Sequence, residues 1–312
     1  MRWKVAALAG LMVAGTSMLA AQDGRPTFRQ SVDRVTLSVT VRTSRGRHVA
    51  NLKSSDFKVY DNGVLRPIAE FRSEPTPVSL AFLVDYSGSM DVAARRAAAR
   101  DQVRLLLDNL TPSTDRAALY VFDKELRALQ TMAPVPGTIL AQLDSVQRPY
   151  GVTSLFDAIA ATGRELEHSG GTRRAVVAIT DGADNASTLS PEAVSTLASG
   201  IDVPVYVVVV VSPFDRAGHT TVDDERLIDQ ALNGPLANLA HWTGGEIFVG
   251  IGAEGSTKAA MQLVTELRQQ YVIAFEPGRQ PGWHPIEVRT SNDGHVVRTR
   301  NGYVVGDDRS GL

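Results

Sequence analysis

The run Asp85-Tyr86-Ser87-Gly88-Ser89 sets one carboxylate and two hydroxyls at alternate positions, and two other short segments carry the same chemistry: Gly151-Val152-Thr153-Ser154 and Thr180-Asp181-Gly182. No His or Cys stands in any of the three. Carboxylate and hydroxyl oxygens are hard donors, and a small set of them favours Mg²⁺ or Mn²⁺ over zinc or copper. Mg²⁺ takes six near-octahedral ligands, so a few side chains, some acting through water, leave a coordination position open. The hydroxyls are neutral, so two aspartates only balance a dication. Such an ion can still accept a carboxylate from an Asp or Glu of another protein. The plainer use of the pentapeptide is a turn in which Ser89 caps the next helix.

Elements that would position these residues are legible in the apolar pattern. Val78 to Val84, Ala117 to Phe122, Ala175 to Thr180 and Val203 to Val211 are too apolar to have one solvated face, as expected of strands in a mainly parallel sheet covered on both sides. Helices are predicted over Val92 to Leu110, Ile139 to Val146, Leu155 to His168, Pro191 to Ser199, Leu236 to Thr243 and Ser256 to Gln270. Leu126 to Thr131 follows Phe122 too closely for a parallel return and should be an antiparallel edge strand. The expected fold is α/β, a doubly wound, mainly parallel six-stranded sheet. Its carboxyl edge is where ligand sites form, and all three oxygen-rich segments end there.

Flanking this region are β units. Val35, Leu37, Val39 and Val41 alternate with polar residues, the period of a strand with one buried face. Phe57 to Tyr60, the turn Asp61-Asn62-Gly63 and Pro67 to Phe71 read as a hairpin; Tyr271 to Phe275, Pro285 to Thr290 and His295 to Arg300, with the turn Asn292-Asp293-Gly294, follow the last helix. Neither set is large enough alone, so the two should pair into a small β-sandwich interrupted by the α/β region. The expected organisation is 1–21 a signal segment, 22–75 N-terminal strands, 76–270 the α/β domain and 271–312 C-terminal strands.

The combination resembles the metal-ion-dependent adhesion site of von Willebrand factor type A domains. Asp85, Ser87 and Ser89 match the family's DxSxS element, Thr153 its second-loop threonine and Asp181 its last aspartate. The resemblance spans about Val78 to Gln270 and includes the stretches VTSLFDAI and VVAITDGADN; the flanks DFKVYDNGVLRPIAEF, YVIAFEP and RNGYVV resemble a secreted, Acidobacterial-type VWFA-related family. It implies a Mg²⁺ (or Mn²⁺) site on these five residues and a protein ligand that presents Asp or Glu. In integrin-type members the last helix moves when ligand binds. Here that helix runs directly into the strand from Tyr271, so a rigid site is expected.

Other residues receive structural roles. Ser154 and Asp157 have capping-box spacing, Asp184 and Asn185 read as a polar turn, and Gly88 and Gly182 as requirements of tight loops. The six histidines show no paired ligand spacing. His219, with Asp215, Arg216, Asp223 and Asp224, would sit on a loop beside the site and could form a recognition rim.

Composition bounds the function. Of 312 residues, 32 are basic and 34 acidic, giving a net charge of −2, so no basic excess draws the chain to nucleic acid or anionic lipid. Arg2 and Lys4 precede an uncharged run from Val5 to Ala21 that ends in Ala20-Ala21, the pattern of a cleaved export signal. Cleavage would move the net charge to −4. An uncleaved anchor is the alternative; otherwise no transmembrane segment is expected, and the location would be periplasmic or extracellular. With zero cysteines, disulfides, thiolate metals and a lipid-modified N-terminal Cys are excluded. The expected function is metal-dependent protein binding without catalysis or a small-molecule cofactor. A metal-dependent hydrolase needs a positioned base that the three segments lack. A metal-independent envelope scaffold is the third class.

Overall fold

The computed structural model describes residues 34–147, 151–169, 173–200, 202–210 and 222–306, without the side chains of 93 and 222–227. The apolar run from 5 to 21 and residues 211–221, which include His219, therefore lie outside the described residues; Asp223 and Asp224, expected on that loop, instead stand in the first turn of a helix.

A six-stranded sheet forms the centre, in the order β10 (Ile247–Val249), β9 (Val205–Val209), β8 (Arg174–Thr180), β5 (Ser79–Asp85), β6 (Arg116–Phe122) and β7 (Leu126–Pro134). All pairs are parallel except β6 with β7, where the short connection forces an antiparallel edge. Strand alternation divides the apolar residues between two cores. Leu80, Phe82 and Val84 face one core, covered by α1 (Arg95–Asp108) and α7 (Gly252–Arg268); α2 (Ile139–Asp144) also packs there. Ala81 and Leu83 face the other, covered by α3 (Leu155–His168), α4 (Pro191–Gly200) and α6 (Pro235–Trp242). Burial of both faces is why every residue of β5 is apolar or buried. α5 (Val222–Asn233) precedes α6. Neither α5, whose Leu227, Ile228, Ala231 and Leu232 recur at helical spacing, nor the three-residue β10 was among the expected elements.

Two four-stranded antiparallel sheets form the sandwich, one ordered β13 (His295–Arg298), β1 (Val35–Thr43), β11 (Tyr271–Phe275), β4 (Ile68–Arg72), the other β14 (Gly302–Val305), β12 (Gly282–Thr290), β2 (Phe57–Asp61), β3 (Val64–Arg66). Each mixes strands from both ends of the chain, as expected. The hairpin differs in detail: Asn62 and Gly63, both at positive φ, turn β2 into β3, with Asp61 opposite Val64. Pro67 then breaks the ladder, and β4 crosses to the other sheet to pair with β11. The Asn292-Asp293-Gly294 turn also changes sheets, because β12 pairs β2 and β14 while β13 pairs β1.

Strand β1 has a second occupied face. Val35, Leu37, Val39 and Val41 enter the sandwich core. On the opposite face, Thr40 is buried and receives Gln270 Nε2 at 3.5 Å. Arg42 is paired with Glu246 at 3.2 Å and with Glu266 of α7. Arg298 of β13 pairs with the same two glutamates, and the Tyr206 hydroxyl donates to Glu266 at 2.8 Å. The sandwich is thus joined to the α/β layer by a charged seam.

Candidate metal centre

Sheet order places β5 between β6 and β8, and the chain leaves β5 for β6 on one side before returning through β8 on the other. This change of direction opens a crevice at the carboxyl ends of the middle strands. Asp85 ends β5; Thr180 ends β8, with Asp181 next. Asp85, Ser87, Thr153 and Asp181 are almost wholly buried, and Ser89 is partly exposed.

The three predicted segments meet. Gly88 N–H donates to Gly151 O at 3.2 Å, joining the first loop to the second. Thr153 N–H donates to Asn185 Oδ1 at 2.8 Å, and Asn185 N–H returns to Thr153 O at 3.0 Å, joining the second to the third. Within the first loop the Ser87 and Ser89 hydroxyl oxygens lie 3.0 Å apart. Ser87 N–H donates to Asp85 Oδ1 at 2.9 Å, and the Thr180 hydroxyl to Asp85 Oδ2 at 2.6 Å. Ala183 N–H holds Asp181 Oδ1 at 3.1 Å.

Burial dominates the electrostatics of Asp85. Burial pushes the Asp85 carboxyl up to about 7; hydrogen bonds from Thr180 and Ser87 oppose the shift, and the negative charge of Asp181 adds to it. Arg95, itself buried, lies at the margin: its Nη1 donates to Ser89 O at 3.3 Å and stands 3.9 Å from Asp181 Oδ2. The donor set, carboxylates and hydroxyls without nitrogen or sulfur, is of the type that suits a hard divalent ion. Among the described residues no cluster of three or more His, Cys, Asp or Glu side chains is poised for a metal. A centre made of two carboxylates and three hydroxyls contains no such cluster.

Several neighbours were missed or misread from sequence. Ser154 and Asp157 do not form a capping box: Ser154 makes no side-chain cap. The first N–H groups of α3 are capped from a distant loop instead. Leu155 N–H donates to Asp184 Oδ1 at 2.8 Å, and Phe156 and Asp157 N–H donate to Ser187 Oγ at 3.0 and 3.2 Å. Asp157 turns to that loop, accepting the Thr188 and Leu189 N–H groups at 2.9 Å each. Asp184 and Asn185, predicted as a local turn, are therefore ties between the second and third loops. Gly182 has φ +87°, a backbone that favours glycine, whereas Gly88 has no such requirement. Ser89 does not cap a helix; a 3₁₀ turn over Gly88–Ala94, ending with Ala94 at φ 58°, precedes α1. Thr180, named in the third segment but given no role of its own, holds Asp85; the signal for it was its place beside Asp181.

Residues 80–183 match the family model for the von Willebrand factor type A domain, a span that holds all five predicted ligands. Comparison with curated proteins gives no match. Among solved structures, the chain is similar to BatB, a conserved hypothetical protein from Bacteroides thetaiotaomicron, at 19% identity and TM-score 0.46, over 61% of this chain and 98% of that one. It is similar to a von Willebrand factor type A protein from Catenulispora acidiphila at 13% identity and TM-score 0.47, over 81% and 74%. A third is the manganese-loaded TRAP protein of Plasmodium vivax, at 14% identity and TM-score 0.43, over 79% and 98%. By the sequence match that spans the three joined loops, this chain carries a von Willebrand factor type A domain.

Proposed function

We propose that the chain is an exported interaction module that binds a carboxylate-bearing protein through a divalent ion held by Asp85, Ser87, Ser89, Thr153 and Asp181. The observation that carries this reading is the burial of Asp85 and Asp181 at one sheet edge, beside the adjoining Ser87 and Ser89 hydroxyls, with the Asp85 carboxyl pushed up chiefly by burial. When bound, Mg²⁺ supplies positive charge and an open position that a partner's Asp or Glu can fill. Thr180 and the Ser87 amide orient Asp85, the Ala183 amide orients Asp181, and the Asn185 bridge fixes the Thr153 loop. Placing the ligands before the ion arrives reduces the ordering cost of binding. No general base is needed for this role. Export rests on the charged and then apolar first 21 residues; among the described residues no helix is long and apolar enough to cross a membrane.

Isothermal titration with Mg²⁺ tests the reading. The wild-type chain should bind one ion, and Asp85→Ala and Asp181→Ala should remove the heat while near-native circular dichroism persists. Equal binding by the variants would sink it. Arg95 favours a second reading, in which its guanidinium supplies the positive charge and the domain works without metal. That reading predicts no Mg²⁺ heat and partner capture that EDTA leaves unchanged.

A further inference from the structure

At the other end of the central sheet, a cleft of about 170 Å³ lies between the amino edge and the outer face of β1 and β11. Arg173, immediately before β8, lines it. This residue is 7% exposed, and among the described residues neither Nη1 nor Nη2 has a hydrogen-bond partner. Its backbone is held at φ 56°, a left-handed conformation uncommon for a residue with a side chain. Its carbonyl accepts the Ser79 N–H at 3.1 Å, so the residue is fixed between two strands of the sheet.

The charged neighbours already have partners, which leaves this guanidinium as the exception. Asp202 stands 3.7 Å from Arg300 Nε. Arg72 pairs with Glu70 at 2.7 Å, and Arg174 Nη1 donates to the Leu166 and Glu167 carbonyls. Glu74 is the remaining acid of the lining, and its side chain accepts the Ser73 N–H at 3.3 Å. Thr36 and Ser38 add hydroxyls that can donate, while the Thr76 hydroxyl already donates to the Glu74 carbonyl at 3.1 Å. A buried guanidinium with open donors is unfavourable unless an anion answers it, and its planar fork matches a carboxylate or phosphate in two parallel bonds.

We propose that this cleft binds one small oxyanion of the phosphate, sulfate or carboxylate class, held by Arg173 with Arg72 at its margin and the Thr36 and Ser38 hydroxyls around it. The volume supports a small ligand, since pockets for drug-sized molecules run from about 300 to 1,000 Å³. Burial and then the positive charge of Arg72 push the Arg173 guanidinium down to about 10, against the smaller opposing influence of Tyr206 and Asp202.

Inorganic phosphate is the probe, titrated into the full chain with EDTA present so that the metal centre is silent, against sodium chloride of matched ionic strength. Wild-type protein should show a saturable rise in Tm, about 5 °C or more at roughly 100 times Kd. Arg173→Met should lose the saturable rise. Arg72→Met changes a side chain that is 58% exposed, so it keeps the fold and should weaken the phosphate midpoint by fivefold or more. An equal rise in wild type and Arg173→Met would assign the effect to general exclusion of the anion from the protein surface and overturn the site. So would no rise in the wild type. If Arg173→Met does not fold, an unchanged midpoint in Arg72→Met overturns it alone.

Discussion

Thr180 shows how much of the proposed metal site lies outside its candidate ligands. Its hydroxyl donates to Asp85 Oδ2 and accepts the Gly182 N–H at 3.0 Å, so one side chain fixes a carboxylate and the start of the third loop. Thr180→Val keeps the volume and removes both bonds. Leaving buried polar atoms unpaired costs about 1–3 kcal/mol, so the urea midpoint of the metal-free protein should fall accordingly. Groups that orient ligands are worth about 10–100-fold in metal affinity, so Mg²⁺ should also bind that much more weakly. An unchanged Mg²⁺ affinity in a destabilised Thr180→Val protein would confine Thr180 to a structural role. The five oxygen donors were legible because their types and spacing are chemical facts of the sequence. The groups that hold them were not, because Asp184 and Ser187 act on Leu155, Phe156 and Asp157 across about thirty residues, and local capping rules see only neighbours. Ser187→Ala tests that cross-loop cap: stability should drop by about 1 kcal/mol, measured by urea denaturation, while Ser154→Ala, which removes no cap bond, should leave it near wild type.

At the scale of elements, buried strands read clearly and polar faces did not. The unbroken apolar runs of β5, β6 and β8 could only be strands covered on both sides. β10 is three residues long, below what periodicity can detect, and the crossing of β4 between sheets depends on one proline after a three-residue strand. The alternation of β1 predicted one buried face, but its Thr40 and Arg42 meet α7 and its exit. Glu266 of α7 accepts Arg42, Arg298 and the Tyr206 hydroxyl while only 3% exposed. Its loss would leave two arginines and a buried phenol short of a partner. Removing one member of a buried ion pair costs about 3–5 kcal/mol, so Glu266→Ala should lower the thermal midpoint sharply, whereas Glu287→Ala, an exposed pair with Arg289, should shift stability by less than about 1 kcal/mol. The same contacts give a physical basis for a restrained α7. Amide exchange over 252–268 should be slow in wild type with or without Mg²⁺, and faster in Glu266→Ala.

Across the whole molecule, the two chain ends form one sandwich around the α/β layer, so its layers should unfold together. Asp61 concentrates that linkage. It is wholly buried, accepts the Gly278 N–H at 2.8 Å, lies 2.7 Å from His284 Nδ1, and pairs with Arg66 at 2.9 Å. An N-terminal strand is thereby tied to the C-terminal strands. Burial alone would raise the Asp61 carboxyl, but hydrogen bonds from His284 and Gly278 outweigh it and hold the group below its ordinary value. The sign follows: the unfolded chain takes up the proton first, so Asp61 contributes stability above about pH 4. That contribution is lost as pH falls from about 4 through the lower native value. Urea midpoints of the wild type should decline over that window, and those of Asp61→Asn should start lower and decline less. Trp283 in β12 and Trp242 in α6 report separately on the sandwich and the α/β layer. In Trp242→Phe and Trp283→Phe proteins that also carry Trp3→Phe, the fluorescence transitions should coincide with each other and with the loss of circular dichroism. A sandwich signal that melts first, with the α/β signal intact, would mean that the Arg42, Arg298, Glu246 and Glu266 seam does not couple the layers.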